Sequence, residues 1–127
     1  MQYTYSNTLG EEITFQDIQK LKNILERPYD YWLEGTGETA IHINDNERMI
    51  FFKIKEGVFI MQHPDYLAPK TNHREVIMYT HYVGGQEMYV PSTCISNETQ
   101  AFDILCHYIQ NGKLPDEFLW IDFFEEK

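Results

Sequence analysis

Histidine and cysteine are the residues of this sequence whose spacing could support metal binding or nucleophilic catalysis. The five histidines show neither the HxH nor the HExxH spacing of metal sites, and the two cysteines do not form a CxxC motif. A metal site would require His63, Asp65 and His73 to converge from one segment, and isolated loop histidines are usually solvated. We therefore predict no metal site, no cofactor-binding residues and no cofactor.

The cysteines and glycines offer equally little to a catalytic mechanism. A nucleophilic cysteine needs a neighbour that lowers its pKa, such as a histidine or a cation. Cys106 instead flanks the apolar face of a helical segment, and nothing marks the surroundings of Cys94 as electropositive. The Gly35-x-Gly37 pair lacks the further glycine and the lysine of a phosphate-binding loop. We predict no catalytic residues and no enzymatic activity, and the alternative is a small α+β enzyme or ligand-binding domain.

Charge and length limit the classes of partner. The 127 residues include 10 basic and 20 acidic side chains, so the formal charge is −10. The length fits one domain over residues 1–127. Such a charge disfavours nucleic acid and anionic membrane surfaces and favours a basic protein partner. Residues 1–12 lack the features of a signal peptide, so we expect a cytoplasmic protein that is not held at a membrane, with a monomer favoured.

Two segments have helical periodicity. Residues 14–26 place Ile18, Leu21, Ile24 and Leu25 on one stripe, with Thr14 as the expected N-cap. Residues 97–111 have a second apolar stripe, with Ser96 as the expected N-cap. Gly112 stands where a left-handed residue ends a helix. We expect both helices to pack on a sheet.

The remaining pattern is that of short antiparallel strands. Apolar and polar residues alternate over 41–44, 49–55 and 118–124. The β-rich run 75–82 and the strand-like runs 58–62 and 86–90 complete two hairpins, with tight turns at Gly57 and Gly84-Gly85. We predict an α+β fold: an antiparallel sheet of about five to seven strands with two main helices on one face and a mostly buried Trp120. Residues 63–74 contain two prolines without periodicity and are expected to form a long loop.

The C-terminal third resembles a known family. Its motifs are Val90-Pro91-Ser92, then Ala101-Phe102-x-x-Leu105 in a helix, then Gly112-x-x-Pro115, and then a strand with Trp120 near its end. In this order they resemble immunity protein family one of bacterial polymorphic toxin and contact-dependent inhibition systems. The resemblance extends over residues 90–122, and the rest of the chain agrees only in outline.

The resemblance implies a cytoplasmic antidote that binds and neutralises a cognate toxin C-terminal domain, such as a nuclease or deaminase with a basic cleft. The family has no catalytic residues to transfer, and its toxin-contacting surface differs between members. The acidic charge of the chain agrees with such a partner. A second alternative is a nucleic-acid mimic, whose carboxylates would be spaced like phosphates along an elongated face.

Two segments combine aromatic rings with carboxylates, as a protein-binding surface requires. One is residues 29–38, and the other is the loop around Asp65 and Tyr66. Trp32 is expected to be part of the core. We therefore predict six partner-binding residues: Asp30, Tyr31, Glu34, Glu38, Asp65 and Tyr66.

Overall fold

A computed structural model describes residues 2–71 and 76–123. Short runs of alternating side chains form most of the elements, and two amphipathic segments form the α-helices. In chain order the elements are β1 (Tyr3–Ser6), β2 (Glu12–Phe15), α1 (Gln19–Leu25), a 3-10 turn (Tyr29–Leu33), β3 (Thr39–His42), β4 (Arg48–Ile54), β5 (Gly57–His63), β6 (Leu67–Lys70), β7 (Met78–Val83), β8 (Gln86–Pro91), a second 3-10 turn (Ser92–Cys94), β9 (Ile95–Ser96), α2 (Glu98–Asn111) and β10 (Leu119–Asp122).

Most of the strands belong to one large antiparallel sheet. Its order is β10-β6-β5-β4-β3-β1-β2, with the short β9 paired to β5. The centre is the β4–β5 hairpin, in which Arg48 lies opposite His63 and Ile54 opposite Gly57. Strands β7 and β8 form a separate two-stranded sheet. The predicted α+β class with an antiparallel sheet and two helices is confirmed.

The two faces of the large sheet are covered by different elements. On one face Trp32 of the 3-10 turn packs on Phe51, and the Gln62 amide of β5 approaches the Tyr108 phenol of α2. On the opposite face His81 of β7 stacks on Phe52 with ring centroids 4.2 Å apart. Because successive strand residues point to opposite faces, Phe51 and Phe52 divide the core between the helices and the hairpin.

Both helices begin at residues other than those predicted. Helix α1 starts at Gln19 because Thr14 belongs to β2, and the Asp17 carboxylate accepts a hydrogen bond from the Gln19 amide at 3.0 Å. The α2 N-cap is Asn97 instead of Ser96, and it forms a capping box with Gln100. Ser96 lies in β9. The predicted left-handed Gly112 at the end of α2 is confirmed, with φ of 67°.

The predicted long loop over residues 63–74 is wrong where the structure describes it. His63 ends β5, residues 64–66 form a turn, and Leu67–Lys70 is a strand that pairs with β10. Residues 72–75, which include His73, lie outside the described residues. Trp120 of β10 is half-buried, and its indole N–H donates to the Pro115 carbonyl at 2.9 Å.

Within the described ranges, the longest helix is α2 with 14 residues, and no helix is both long enough and apolar enough to cross a membrane.

Candidate functional site

The segment Tyr29–Glu38 begins with a short turn that has one buried anchor. Pro28 is extended and ends the run of α1, and the 3-10 turn follows directly. Trp32 is fully buried, packs edge-on against Tyr31 at 5.0 Å and donates its indole N–H to the Arg27 carbonyl at 3.4 Å. The expectation that Trp32 is a core residue is confirmed. Its burial fixes the direction in which the rest of the turn faces.

Three side chains of this turn and its end point into solvent. Asp30, Leu33 and Glu34 are all exposed. The 3-10 geometry returns every third residue to the same side, so Asp30 and Leu33 lie on one side of the turn. Of the four predicted partner-binding residues in this segment, Asp30 and Glu34 are therefore accessible to a protein partner, and Asp65 of the second predicted surface is exposed as well.

Tyr31 contributes mainly to the structure of the turn. It is half-buried, its phenol shares a hydrogen bond of 2.9 Å with the phenol of Tyr5, and the Arg27 guanidinium lies 4.4 Å above its ring. Burial, together with this hydrogen bond, raises the pKa of Tyr5 far above its usual range. Tyr31 therefore presents only part of its ring to a partner.

Residues 35–37 join three parts of the chain at Thr36. The Thr36 amide donates to the Thr8 carbonyl at 2.7 Å, and the Thr36 carbonyl accepts from the Gly84 amide at 2.8 Å. Gly35 and Gly37 both have positive φ, and a Cβ atom would lie 1.9 Å from the Thr8 oxygen at Gly35 and 2.1 Å from the Tyr82 oxygen at Gly37. We call this arrangement the Thr36 junction. The two glycines serve close backbone approach, which the sequence pattern did not reveal.

Glu38 directly follows the Thr36 junction, and its backbone carbonyl accepts a hydrogen bond from the Thr36 hydroxyl at 3.2 Å. It is half-buried, and burial raises its pKa, while the nearby Arg48 guanidinium partly opposes that increase. Glu38 is therefore a less accessible acid than Asp30 or Glu34, although all three belong to one segment.

His81 holds the hairpin against the same junction. Its Nε2–H donates to the Gly37 carbonyl at 2.7 Å, which places a proton on Nε2 because a carbonyl oxygen can only accept. Nδ1 is buried and accepts no hydrogen bond from the described residues. Burial lowers the pKa of His81, and the bond to Gly37 opposes this. His81 is therefore a structural contact in its neutral form.

Asp65 and Tyr66 lie elsewhere in the molecule. The Asp65 amide donates to the Gln62 side chain at 3.2 Å, and the half-buried Tyr66 ring meets His63 edge-on at 5.5 Å. This turn leads into β6, whereas Glu38 leads into β3, and β5 and β4 lie between those two strands. The two predicted surfaces are therefore separate.

A polar cavity of about 500 Å³ opens at the end of the central strands. His42, Arg48 and His63 form one register row across β3, β4 and β5 and face it together. Glu47, also in its lining, accepts hydrogen bonds from the Tyr108 phenol and the Asn44 amide, and these bonds lower its pKa. The alternative hypothesis of a ligand-binding domain would be tested at this cavity.

Of the candidate metal and nucleophilic residues, His63, Asp65, Cys94 and Cys106 belong to the described ranges, whereas His73 lies outside them. Among the described residues, no group of three His, Cys, Asp or Glu side chains is arranged to hold a metal ion. The Cys94 thiol is fully buried. Burial raises the pKa of Cys106 to about 11, and the nearby Asp103 carboxylate adds to this effect. Such a thiol is protonated at neutral pH, which is unfavourable for a nucleophile.

The comparisons with known proteins add no relative. A scan against protein-family models gives no match to this chain, and a search of curated proteins gives none either.

Proposed function

We propose that this protein is a cytoplasmic, non-catalytic antidote that binds a cognate toxin domain with a basic cleft and thereby neutralises it. The observation on which the proposal depends is the exposed acidic turn, in which Asp30, Leu33 and Glu34 surround a buried Trp32 anchor. The resemblance of residues 90–122 to immunity protein family one supports the same function.

The geometry of the turn suits inhibition by binding. The Trp32 ring and the hydrogen bond between the phenols of Tyr31 and Tyr5 fix the backbone before a partner arrives, so little conformational entropy is lost on association. An exposed leucine between two carboxylates offers an apolar contact with charged surroundings. Such carboxylates increase the rate of encounter with a basic protein, and the total charge of −10 acts in the same direction.

The first experiment measures whether such a partner exists. A toxic C-terminal domain is sought in the open reading frame upstream of this gene, and that domain and the full chain are purified separately and mixed in a calorimeter and in a toxicity assay. We expect a one-to-one complex and loss of toxicity. Failure of the two proteins to bind would refute the proposed function.

A second experiment locates the acidic contribution. Asp30→Lys with Glu34→Lys should slow association and flatten its dependence on ionic strength, because two steering charges are reversed. The matched control is Asp116→Lys with Glu117→Lys, which changes the net charge equally at two other exposed carboxylates. If both double variants give the same salt dependence, the turn is not the contact surface.

A further inference from the structure

The β7–β8 hairpin has one face toward the core and one toward solvent. Tyr79, His81, Val83, Met88 and Val90 point inward, and all of them are buried or packed against the core. The opposite face consists of five residues, all of them exposed: Met78, Thr80 and Tyr82 on β7, and Glu87 and Tyr89 on β8. We call these five residues the outer hairpin face.

The outer hairpin face is unusually apolar for a surface exposed to water. Met78 is 53% exposed, and Tyr82 and Tyr89 are each 54% exposed. Val76 and Ile77, immediately before β7, are also exposed. Contiguous apolar surface of this kind on a folded protein marks sites of interaction. Two tyrosines and a methionine are residue types enriched at the centre of protein interfaces.

Tyr89 is already oriented toward its carboxylate neighbour. Its phenol donates to Glu87 at 2.6 Å, and this hydrogen bond raises the pKa of Tyr89. Thr80 lies opposite Tyr89 in the register and Tyr82 lies opposite Glu87, so the two tyrosines are diagonal neighbours. A pair of rings beside a carboxylate is a suitable receptor for an arginine or lysine side chain, through ring faces and charge together.

The Thr36 junction joins the tip of this hairpin to the segment of the acidic turn. The Gly84 amide at the hairpin tip donates to Thr36, which is two residues after Glu34. Leu9 packs beside Gly35 from the other side, and Leu9 and Leu33 are both more than half exposed. The backbone hydrogen bonds at Thr36 therefore bring together the segments that carry Leu9, Leu33 and the hairpin tip.

The charge of these segments indicates what kind of partner fits them. Residues 7–11, 33–38 and 78–91 contain Glu11, Glu34, Glu38 and Glu87 and no lysine or arginine. A second copy of this chain would bring the same carboxylates against each other, which is unfavourable. A basic protein surface would meet them with opposite charge.

We propose that the outer hairpin face, together with Leu9, Leu33 and Glu34, is the surface on which the basic toxin domain docks, with a toxin arginine or lysine seated between Tyr82, Tyr89 and Glu87. This inference rests on the proposed function and extends its contact surface beyond the acidic turn.

The test compares alanine variants in binding to the purified toxin domain. Tyr82→Ala and Tyr89→Ala should each weaken binding about tenfold or more, mainly through faster dissociation, as central aromatic contacts do. Leu119→Ala is the control, because Leu119 of β10 is 62% exposed but lies on the edge strand of the large sheet. We expect it to bind within about twofold of the wild type, since a side chain outside an interface contributes little to affinity.

Other measurements keep the outcomes distinct. Urea unfolding of each variant shows whether the hairpin remains folded, and exposed tyrosines should change stability little. If the Tyr82→Ala, Tyr89→Ala double variant binds the toxin domain as tightly as the wild type, the proposed docking surface is wrong and the antidote function still stands. Absence of wild-type binding would overturn both. A wild-type dimer that dissociates in the double variant would show that the face is occupied by a second copy instead.

Discussion

Replacing Gly37 with alanine should reveal how tightly the hairpin is held against the Thr36 junction. Gly37 has φ of 78°, and the new Cβ atom would lie 2.1 Å from the Tyr82 carbonyl oxygen. That oxygen belongs to the backbone of β7 and cannot rotate away. The hairpin must therefore shift, which would break the Gly84-to-Thr36 hydrogen bond and the bond from His81 to the Gly37 carbonyl.

The magnitude follows from these separate contributions. An alanine in the left-handed region costs about 1–2 kcal/mol. Each of the two hydrogen bonds contributes about 1 kcal/mol. We expect Gly37→Ala to lower the free energy of unfolding by about 3–4 kcal/mol, a large part of the stability of a small domain.

Gly85→Ala is the matched control, because Gly85 has nearly the same φ without the close contact. Its φ is 81°, and no described atom lies within 4 Å of the built Cβ. Only the conformational cost of about 1–2 kcal/mol should appear. Urea unfolding followed by circular dichroism measures both variants by linear extrapolation. Equal losses in the two variants would refute the close approach of the hairpin to residues 35–37.

Three further predictions concern buried polar groups, each measured by urea unfolding. Because burial lowers the pKa of His81, unfolding takes up a proton as the pH falls from 7 to 5, so the free energy of unfolding decreases over that range. His81→Asn should flatten this pH dependence, and an unchanged dependence would contradict a lowered pKa for His81. Because the pKa of Glu38 is raised, the free energy of unfolding decreases as the pH rises above the usual pKa of a carboxyl group. Glu38→Gln should therefore be more stable than the wild type at pH 7 and lose that advantage in acid. A variant less stable than the wild type at pH 7 would be inconsistent with a raised pKa for Glu38. Tyr108→Phe removes the phenol between Glu47 and Gln62 and should cost about 1–2 kcal/mol, and a loss below about 0.3 kcal/mol would argue against that network.

The parts of the fold that follow local rules could be predicted. Helix α2 has a complete apolar stripe, a polar residue at its start and Gly112 at its end, so its prediction was wrong by only one residue at the N-cap. The β4–β5 and β7–β8 hairpins were recognisable from alternation and from Gly57 and Gly84. In these elements the signal lies within a few residues of the structure that it specifies.

Elements that depend on distant partners could not be predicted. Strand β6 contains Pro69, one of the two prolines that, with the lack of periodicity, led to the prediction of a loop over residues 63–74. In the structure the register joins β6 to β5 only at the Gln62–Leu67 pair, whereas Pro69 lies opposite Trp120 of β10. Strands β1 and β2 have four residues each, too few for a periodic pattern to distinguish them from a loop.

In the candidate site, too, features set by nearby residues were predictable and features set by distant contacts were not. Asp30 and Glu34 are exposed as their charge suggests, but the burial of Tyr31 depends on Tyr5, which lies 26 residues earlier in the chain. The β-rich composition of residues 75–82 and the Gly84-Gly85 turn indicated the β7–β8 hairpin. Which of the two hairpin faces packs on Phe52 is decided by tertiary contacts.

The separation of the β7–β8 sheet from the large sheet has a consequence for cooperative opening. Among the described residues, the hairpin contacts the 35–37 segment and Phe52, and its two strands pair with each other but with no strand of the large sheet. Such a unit can open at a lower free energy than the whole molecule, whereas the β4–β5 centre, covered on both faces, opens only with global unfolding. Its amide hydrogens should therefore exchange with deuterium sooner than those of β4 and β5. A partner seated on the outer hairpin face would slow exchange in the hairpin selectively, because closing that unit becomes part of binding.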